Sequence, residues 1–208
     1  MNTAVTVVGE ALIDIVVPVS GQPSEHVGGS PANVAIGLSR LGHPTRLATH
    51  IGTDARGRRI ADLMAAEAVE LTAGSTDAER TPTATANLDG AGVATYQFDL
   101  EWTLDPTTVD LADGGHLHTG SIAATLSPGG DAVLEIVQRA REHATISYDP
   151  NARPTLMGSP DEARPIIERL IRLSDVVKAS EEDVAWLYGG APVTHVLAEW
   201  AAMGPAIC

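Results

Sequence analysis

The sequence contains little cysteine, few aromatic residues and few basic residues. Its single cysteine, Cys208, excludes a disulfide framework within the chain and metal sites built from several cysteines. Lys and Arg number 13 against 27 Asp and Glu, and the resulting formal charge of -14 repels nucleic acids and anionic membrane surfaces. No apolar run approaches the ~20 residues that span a bilayer, and no basic leader precedes the first predicted strand. We therefore expect a cytoplasmic protein that binds neither nucleic acid nor membrane.

The hydrophobic residues, 44% of 208, suffice for one main core. Short apolar runs of strand length alternate along the chain with segments whose apolar residues recur at helical spacing. This alternation is typical of an α/β domain with a parallel sheet. The predicted strands of that sheet span residues 4–8, 46–51, 115–120, 145–148 and 174–178, and the predicted helices begin near residues 30, 55, 128, 160, 180 and 192. The helix that begins near residue 55 is predicted to extend to Val69, with Asp54 as its N-cap.

Residues 28–42, GGSPANVAIGLSRLG, join two glycines to a helix with clear end signals. Ser30 is predicted as the N-cap and Gly42 as the C-terminal stop. The glycines let a ligand approach the backbone, where the unpaired amides of a helix start favour a polyhydroxylated or anionic group. Asn33 favours a ligand too, because a buried amide without a partner would be costly. An ordinary glycine loop before a core helix is the alternative. The buried stripe of this helix is predicted to consist of Val34, Leu38 and Leu41.

Two polar features interrupt predicted strands or follow them. Asp14 lies within a predicted strand at 12–17, where it either pairs structurally or receives a ligand hydroxyl. A second polar cluster follows the strand at 145–148, which is the end of a strand where open α/β sheets bind ligands. Its candidate residues for binding hydroxyls and a negative charge are Asp149, Asn151 and Arg153. A proline-rich turn with an ion pair is the alternative for this cluster.

Residues 81–105 depart from the alternation of strands and helices. Two β-prone segments, 83–88 and 93–98, flank the turn-rich residues 89–92, so we predict a hairpin. The aromatic residues of this segment are Tyr96, Phe98 and Trp102. They would cover a ligand as a flap, form a subunit contact or pack in the core.

Two other clusters have competing metal and structural interpretations. His116 and His118 share one side of a predicted strand, but no third ligand lies at a suitable spacing, so we favour a polar strand end over a metal site. Ser180 and Asp183 have the form of a capping box, which explains them structurally. Acidic residues at a strand end could also orient hydrated magnesium beside a nucleotide.

Five segments, in their order and spacing, resemble the ribokinase-like (PfkB) carbohydrate kinase family, and within it the bacterial fructokinases and 2-keto-3-deoxygluconate kinases. The resemblance runs the whole length of the chain. The segments that carry it are GEALID at 9–14, GGSPANVAIGLSRLG at 28–42, IGTDARG at 51–57, YDPNARP at 148–154 and KASEED at 178–183.

The resemblance implies a three-layer α/β sandwich with a mainly parallel central sheet and a small β-lid, to which residues of about 12–20 and 82–104 contribute. Residues 1–208 would then form the N-terminal part of a single ribokinase-like domain, without its C-terminal nucleotide-binding part. The sugar site would lie between the sandwich and the lid, and a homodimer would form through the lid. ATP and Mg²⁺ would bind near the carboxyl ends of the later strands.

The same resemblance implies a reaction and residue roles. The reaction is in-line transfer of the γ-phosphoryl group of ATP to a hydroxyl of a fructose-like or keto-deoxy sugar. The sugar would be held by Asp14, Gly28, Gly29, Asn33, Phe98, Asp149, Asn151 and Arg153. The nucleotide would lie against Lys178, Ser180 and Asp183, and Asp183 would act on magnesium indirectly.

The chain departs from the family pattern in two places. The family's N-x-x-E motif stands here as Ser180-x-x-Asp183. The D-T-x-G-A-G-D motif does not occur in the 208 residues; in the family its glycines form the anion hole and its last aspartate is the catalytic base. We therefore expect the base to lie beyond Cys208, and we expect no kinase turnover by this chain alone. A sugar-binding or interaction protein that has lost the chemistry is the alternative.

Overall fold

Residues 4–109, 111 and 115–208 are described by a computed structural model of the chain. The strands are β1 (Val5–Val8), β2 (Leu12–Val17), β3 (Ser24–Gly28), β4 (Thr45–Ala48), β5 (Val69–Leu71), β6 (Thr83–Leu88), β7 (Ala94–Asp99), β8 (Gly115–Gly120), β9 (Ala144–Asp149) and β10 (Val176–Val177). The helices are α1 (Ser30–Arg40), α2 (Ala55–Ala66), α3 (Gly129–Ala140), α4 (Pro154–Met157), α5 (Pro160–Leu173), α6 (Glu181–Tyr188) and α7 (Val193–Met203). Two short 3₁₀ turns lie at Pro106–Thr108 and Ile122–Ala124.

Six of these strands form a parallel central sheet in the order β10, β9, β8, β1, β4, β5. The strand β1 lies in its middle, where Val5 is in register with Thr45 of β4 and with His116 of β8. Parallel neighbours need a crossover connection, and the helices between the strands provide it. The predicted α/β fold with a parallel sheet is therefore confirmed.

Helices cover the central sheet on both faces. Adjacent residues of a strand point to opposite faces, and in β1 the side chains of Val7 and Val8 are both fully buried. Val7 belongs to the core formed with α1 and α2, whereas Val8 belongs to the larger core formed with α3, α5, α6 and α7. Trp200 of α7 is the largest fully buried side chain of that second core. The mostly apolar sequence of β1, VTVV, is thus that of a strand with no solvent-facing side.

A second sheet, which we call the lid sheet, contains β3, β2, β6 and β7 in that order. The strands β2 and β6 are parallel, and the two outer pairs are antiparallel. The predicted hairpin is present as β6 and β7. Its turn is closed by the Asp89 carboxylate, which accepts hydrogen bonds from the amides of Ala91 and Val93, both at 2.9 Å. The sequence analysis did not identify β3 as a strand.

The helix α1 differs from its prediction at its start and on its buried side. Gly29, with φ of 103°, occupies the N-cap position and Ser30 is the first helical residue, so the prediction of Ser30 as the N-cap was wrong. Leu41 is 77% exposed and does not belong to a buried stripe. The buried side of α1 consists of small residues. Because they are small, the helix axis can lie close to the sheet. They are Pro31, Ala32 and Ala35.

The helix α2 begins at its predicted N-cap, Asp54. The carboxylate of this residue accepts hydrogen bonds from the amide of Gly57 at 2.9 Å, from the amide of Thr81 at 2.8 Å and from the hydroxyl of Thr81 at 2.9 Å. One side chain therefore joins the start of α2 to the segment that enters the lid sheet. Val69, predicted as part of this helix, lies in β5 instead.

We predict that Asp54→Ala lowers the free energy of unfolding by about 1–2 kcal/mol, because it removes a helix cap together with two further hydrogen bonds. Urea denaturation of the two proteins measures the difference. Asp62→Ala, on an exposed position of the same helix, is the matched control and should change stability by no more than about 0.5 kcal/mol. Equal effects of the two substitutions would contradict the assigned cap.

Candidate functional site

A cavity of about 850 Å³ lies between the carboxyl ends of the central strands and the lid sheet. Three parts of the chain enclose it: the segment from the end of β1 into β2 with the start of α1, the inner side of the lid sheet, and the loops after β8 and β9. Its polar lining residues are Glu10, Asp14, Ser30, Asn33, Ser121, Asn151, Arg153 and Thr155. The chain therefore brings residues more than 140 positions apart to one edge of the sheet, as parallel strands do.

The Asp14 side chain, which belongs to β2, lines this cavity. The absence of a side chain at Gly28 leaves room for its carboxylate. A Cβ at Gly28 would overlap the Asp14 carboxylate, so glycine at this position lets the carboxylate keep its place in the lid sheet. Partial burial raises the pKa of Asp14, and the nearby charges of His26 and Arg153 oppose that shift. Gly28 itself lies beneath Asp14 and does not line the cavity, whereas Gly29 does.

Asn33 projects from the first turn of α1 into the cavity. Its side chain is exposed, so the expectation of a buried amide was wrong. The helix starts at Ser30, so Asn33 lies in its first turn. Its side chain is on the opposite side of the helix from the buried Ala32 and Ala35, and it therefore reaches the cavity. Asn33 is accordingly placed to donate to a ligand and to accept from it.

The three aromatic residues of the lid segment divide between two roles. Tyr96 and Phe98 line the cavity, and their rings stack with centroids 6.0 Å apart and planes 11° from parallel. Trp102 is buried instead, and its indole N–H donates to the carbonyl oxygen of Ala123 at 2.9 Å. The flap interpretation thus agrees with the position of the first two, and core packing accounts for the third.

The loop after β9 supplies Asn151 and Arg153 to the cavity. The guanidinium of Arg153 donates from Nη1 to Asn151 Oδ1 at 3.0 Å and to the carbonyl oxygens of Asn151 and Ala152 at 3.2 and 2.9 Å. Asp149 does not line the cavity, because its carboxylate pairs with Lys178 Nζ at 3.0 Å. The ion pair of Asp149 thus lies with a lysine outside this loop, and Arg153 faces the cavity.

Glu10 is a cavity residue that the sequence analysis missed. Its side chain is almost fully buried, and this burial raises its pKa to about 7. The carboxyl accepts a hydrogen bond from the amide of Ala123 at 3.2 Å, and hydrogen bonds from the Ser121 hydroxyl and the Ser30 amide lower its pKa in part. The available signal in the sequence was an acidic residue between two apolar runs.

Asp183 lies outside the cavity, in the predicted capping box of α6. One carboxylate oxygen accepts from the amide of Ala152 at 2.7 Å, and the other accepts from the amide and the hydroxyl of Ser180, both at 2.9 Å. The residue is 6% exposed. Because both oxygens are occupied and buried, Asp183 does not fit a direct magnesium ligand. Its indirect role, and the nucleotide contacts of Lys178 and Ser180, stay predictions.

The two histidines of β8 form a polar network with β9. His116 Nε2 and His118 Nδ1 lie 2.7 and 2.9 Å from the hydroxyl of Ser147, and His116 Nδ1 lies 2.8 Å from that of Thr145. Burial lowers the pKa of His118 to about 4, so this ring is neutral near pH 7. Within residues 4–109, 111 and 115–208, no three or more His, Cys, Asp or Glu side chains are grouped so as to hold a metal ion.

In the described part of the chain, none of the helices has the length and apolar character needed to cross a bilayer.

A parallel α/β sandwich whose lid sheet covers a polar cavity at the strand ends is the architecture of the ribokinase-like sugar kinases. The model of the pfkB family of carbohydrate kinases matches residues 2–204. The chain belongs to this family.

Individual relatives agree with this assignment. Fructokinase from Klebsiella pneumoniae is 33% identical over 95% of this chain and 67% of its own length. The structure of a Vibrio cholerae fructokinase variant with fructose, ADP and potassium bound matches 99% of this chain and 69% of its own, with a TM-score of 0.84 and 26% identity. A sugar kinase from Pyrococcus horikoshii in complex with ATP matches 89% of this chain and 66% of its own, with a TM-score of 0.78 and 28% identity. The chain thus spans about two thirds of the length of these relatives.

We predict that Gly29→Ala lowers the free energy of unfolding by about 1–3 kcal/mol, because a Cβ there would overlap the backbone carbonyl oxygen of Glu10 and φ is 103°. Denaturant titration measures the stability change. Gly37→Ala is the matched control, since a Cβ there meets open space and should stabilise α1 by up to about 1 kcal/mol. A neutral Gly29→Ala variant would disprove the packing argument.

A second prediction concerns Glu10, whose pKa of about 7 in the folded state exceeds its ordinary value of 4.5. The folded protein therefore binds this proton more tightly than the unfolded chain, and stability falls as pH rises from about 4.5 to about 7. The full effect of this carboxyl is about 3 kcal/mol.

Glu10→Gln should abolish this component, so the stability of the variant relative to wild type should rise between pH 5 and pH 8. Urea denaturation across that range measures both proteins, and Glu79→Gln, at an exposed carboxyl, is the control. Parallel stability curves for wild type and Glu10→Gln would refute the assigned pKa shift.

Proposed function

We propose that the cavity binds a small fructose-like sugar as the acceptor of a phosphoryl group from ATP. The observation that carries this proposal is the common lining of one cavity by the Asp14 carboxylate, the Asn33 amide and the Arg153 guanidinium, opposite the aromatic rings of Tyr96 and Phe98. A sugar needs both surfaces, because its hydroxyls require donors and acceptors while its C–H faces pack on apolar rings.

The three polar side chains differ in the hydrogen bonds that they can form with sugar hydroxyls. A carboxylate only accepts hydrogen bonds, a guanidinium only donates them, and an amide does both. Asp14, Arg153 and Asn33 together therefore match hydroxyls in either role, and they hold the sugar in one orientation. Fixed orientation matters for phosphoryl transfer, in which catalysis is mostly positioning and charge stabilisation.

ATP, when bound, would supply the phosphoryl group. The support for a nucleotide comes from the family and from relatives whose structures contain ADP or ATP. The 208 residues do not contain the family's D-T-x-G-A-G-D motif, so sugar binding, rather than turnover, is the property that tests this chain's own residues.

We predict that the protein binds fructose saturably without nucleotide, and that Asp14→Asn weakens the affinity about 10- to 100-fold, because a hydrogen bond to a charged group is lost. Isothermal titration calorimetry measures both affinities, with ribose and a keto-deoxy sugar acid as comparison ligands. Asp62→Asn, on the exposed side of α2, should leave the affinity unchanged. Absence of saturable binding by wild type to all three sugars would disprove the proposed site.

Two further expectations from the sequence stay proposals. Dimerisation through the lid sheet is supported by the exposure of Val93 and Tyr96, which are 61% and 59% exposed. A cytoplasmic location is supported by the composition and the single cysteine.

A further inference from the structure

The capping boxes of α5 and α6 have the same local bonds but differ in one carboxylate oxygen. At the start of α5, Glu162 Oε2 accepts from the amide and the hydroxyl of Ser159, at 2.8 and 2.7 Å. At the start of α6, Asp183 Oδ2 accepts from the amide and the hydroxyl of Ser180, both at 2.9 Å. A single oxygen therefore completes each cap. The second oxygen of Asp183 is not needed for the cap, and it accepts from the amide of Ala152 at 2.7 Å.

The two acidic residues also differ in burial. Glu162 is exposed, whereas Asp183 is 6% exposed. A buried carboxylate is costly unless hydrogen bonds compensate it, and bonds to a charged acceptor are shorter and stronger than bonds between neutral groups. The bond from the Ala152 amide spans 31 positions of the chain. It is therefore a strong tertiary contact, which links the loop after β9 to the start of α6.

The peptide group between Asn151 and Ala152 connects this contact to Arg153. Its N–H is the Ala152 amide, which donates to Asp183 Oδ1, and its C=O is the Asn151 carbonyl, which accepts from Arg153 Nη1 at 3.2 Å. A peptide group is planar, so a bond that fixes its N–H also fixes the direction of its carbonyl oxygen. Successive hydrogen bonds of this kind polarise one another, and here a carboxylate lies at one end and a guanidinium at the other.

Two further acceptors on the same loop hold Arg153 by the same nitrogen. Nη1 donates to Asn151 Oδ1 at 3.0 Å and to the Ala152 carbonyl oxygen at 2.9 Å. Among the residues that the structure describes, the hydrogen bonds of this guanidinium all use Nη1. The loop thus holds the guanidinium through one nitrogen and leaves Nε and Nη2 for a ligand in the cavity.

We propose that Asp183 is a positioning residue, which holds the loop after β9 so that Arg153 presents its guanidinium to the sugar. This inference rests on the proposed sugar site. Asp183 does not line the cavity, so it acts on a ligand through the peptide group that it fixes. Without its carboxylate, the Ala152 amide would lose its acceptor, the peptide group would be freer to rotate, and Arg153 would lose part of its support.

The first arm of the test needs no sugar. In the ¹⁵N-labelled protein, Asp183→Ala should move the Ala152 amide proton upfield, because its bond to a charged acceptor is lost. It should also lower the heteronuclear NOE of the Arg153 Nε–H group, because the guanidinium becomes more mobile. Glu162→Ala, the same change in the other capping box, should alter neither signal. An Arg153 signal that is the same in Asp183→Ala and in wild type would overturn the inference.

A conservative variant provides the same test if Asp183→Ala does not fold. Asp183→Asn keeps the size of the side chain, but an amide has one oxygen, so it cannot replace both acceptors, and its uncharged oxygen forms a weaker bond. The Ala152 and Arg153 signals should change in the same direction as in Asp183→Ala and by a smaller amount. Unchanged signals in this variant would count against the inference in the same way.

The second arm measures fructose affinity by calorimetry in a double-mutant cycle of Asp183 and Arg153. Asp183→Ala alone should weaken binding about three- to tenfold, the factor that corresponds to one net hydrogen bond. The effect is moderate because Asp149 Oδ1 separately accepts from the Asn151 amide at 3.1 Å. In the Arg153→Ala background, Asp183→Ala should leave the affinity unchanged, since no guanidinium remains to be positioned.

The cycle distinguishes positioning from a general loss of structure. A structural defect would weaken fructose binding equally in the wild-type and Arg153→Ala backgrounds, and that result would refute the positioning role. Glu162→Ala weakens a helix cap without any bond to the loop after β9, so it should bind fructose as wild type does.

The two arms fail separately. If wild type binds none of the three sugars, the proposed function is wrong and the role of Asp183 in sugar binding is wrong with it, whereas the NOE of Arg153 still decides whether Asp183 holds the guanidinium. If wild type binds fructose and Asp183→Ala binds it equally well, the positioning role is wrong and the sugar site stands.

Discussion

The close approach of the start of α1 to the turn between β1 and β2 determines the geometry of the cavity. A Cβ at Gly9 would overlap the ring of Pro31, and a Cβ at Gly29 would overlap the carbonyl oxygen of Glu10. The φ of 103° at Gly29 is also a conformation that side chains disfavour. The turn between β1 and β2 and the start of α1 can therefore lie in direct contact, because neither glycine has a side chain to hold them apart. As a result, the Glu10 carboxyl is enclosed between them, and Asp14, four residues further along, opens into the cavity.

The cavity contains several features that oppose stability. A carboxyl is buried at position 10, and two residues other than glycine, Ser121 and Asn151, have positive φ. A domain is stable by only about 5–15 kcal/mol in total, so these costs are large unless the two cores offset them. The covered strand β1 and its helices supply that compensation through apolar burial. Local rules that are broken together at one cavity are typical of a functional site.

The predictable parts of the fold have local signals in the sequence. The caps at Asp54 and Ser180 and the hairpin turn at Asp89 are each specified within a few residues, and the structure confirms them. The segment SEHVG that forms β3 contains no apolar run, and its residues alternate between exposed and partly buried positions before the buried Gly28. Pairing with β2, rather than a local pattern, makes it a strand. The burial of Glu10 could not be predicted from neighbouring residues either, because it depends on how closely the start of α1, twenty residues later, packs against the turn that contains Glu10. Contacts between distant segments, rather than propensities, decided both.

The candidate site was also predictable only in part, where its residues had a local signal in the sequence. The sequence singled out Asp14, Asn33 and Arg153 by type and position, and one cavity contains all three. It could not tell that Asp149 would pair with Lys178 while Arg153 faces the cavity. Arg153 is the one cation that the described residues present there, opposite two carboxyls, in a chain of net charge -14. Such a cavity attracts an anionic ligand only weakly, and its balance of donors and acceptors suits a neutral, hydroxyl-rich molecule.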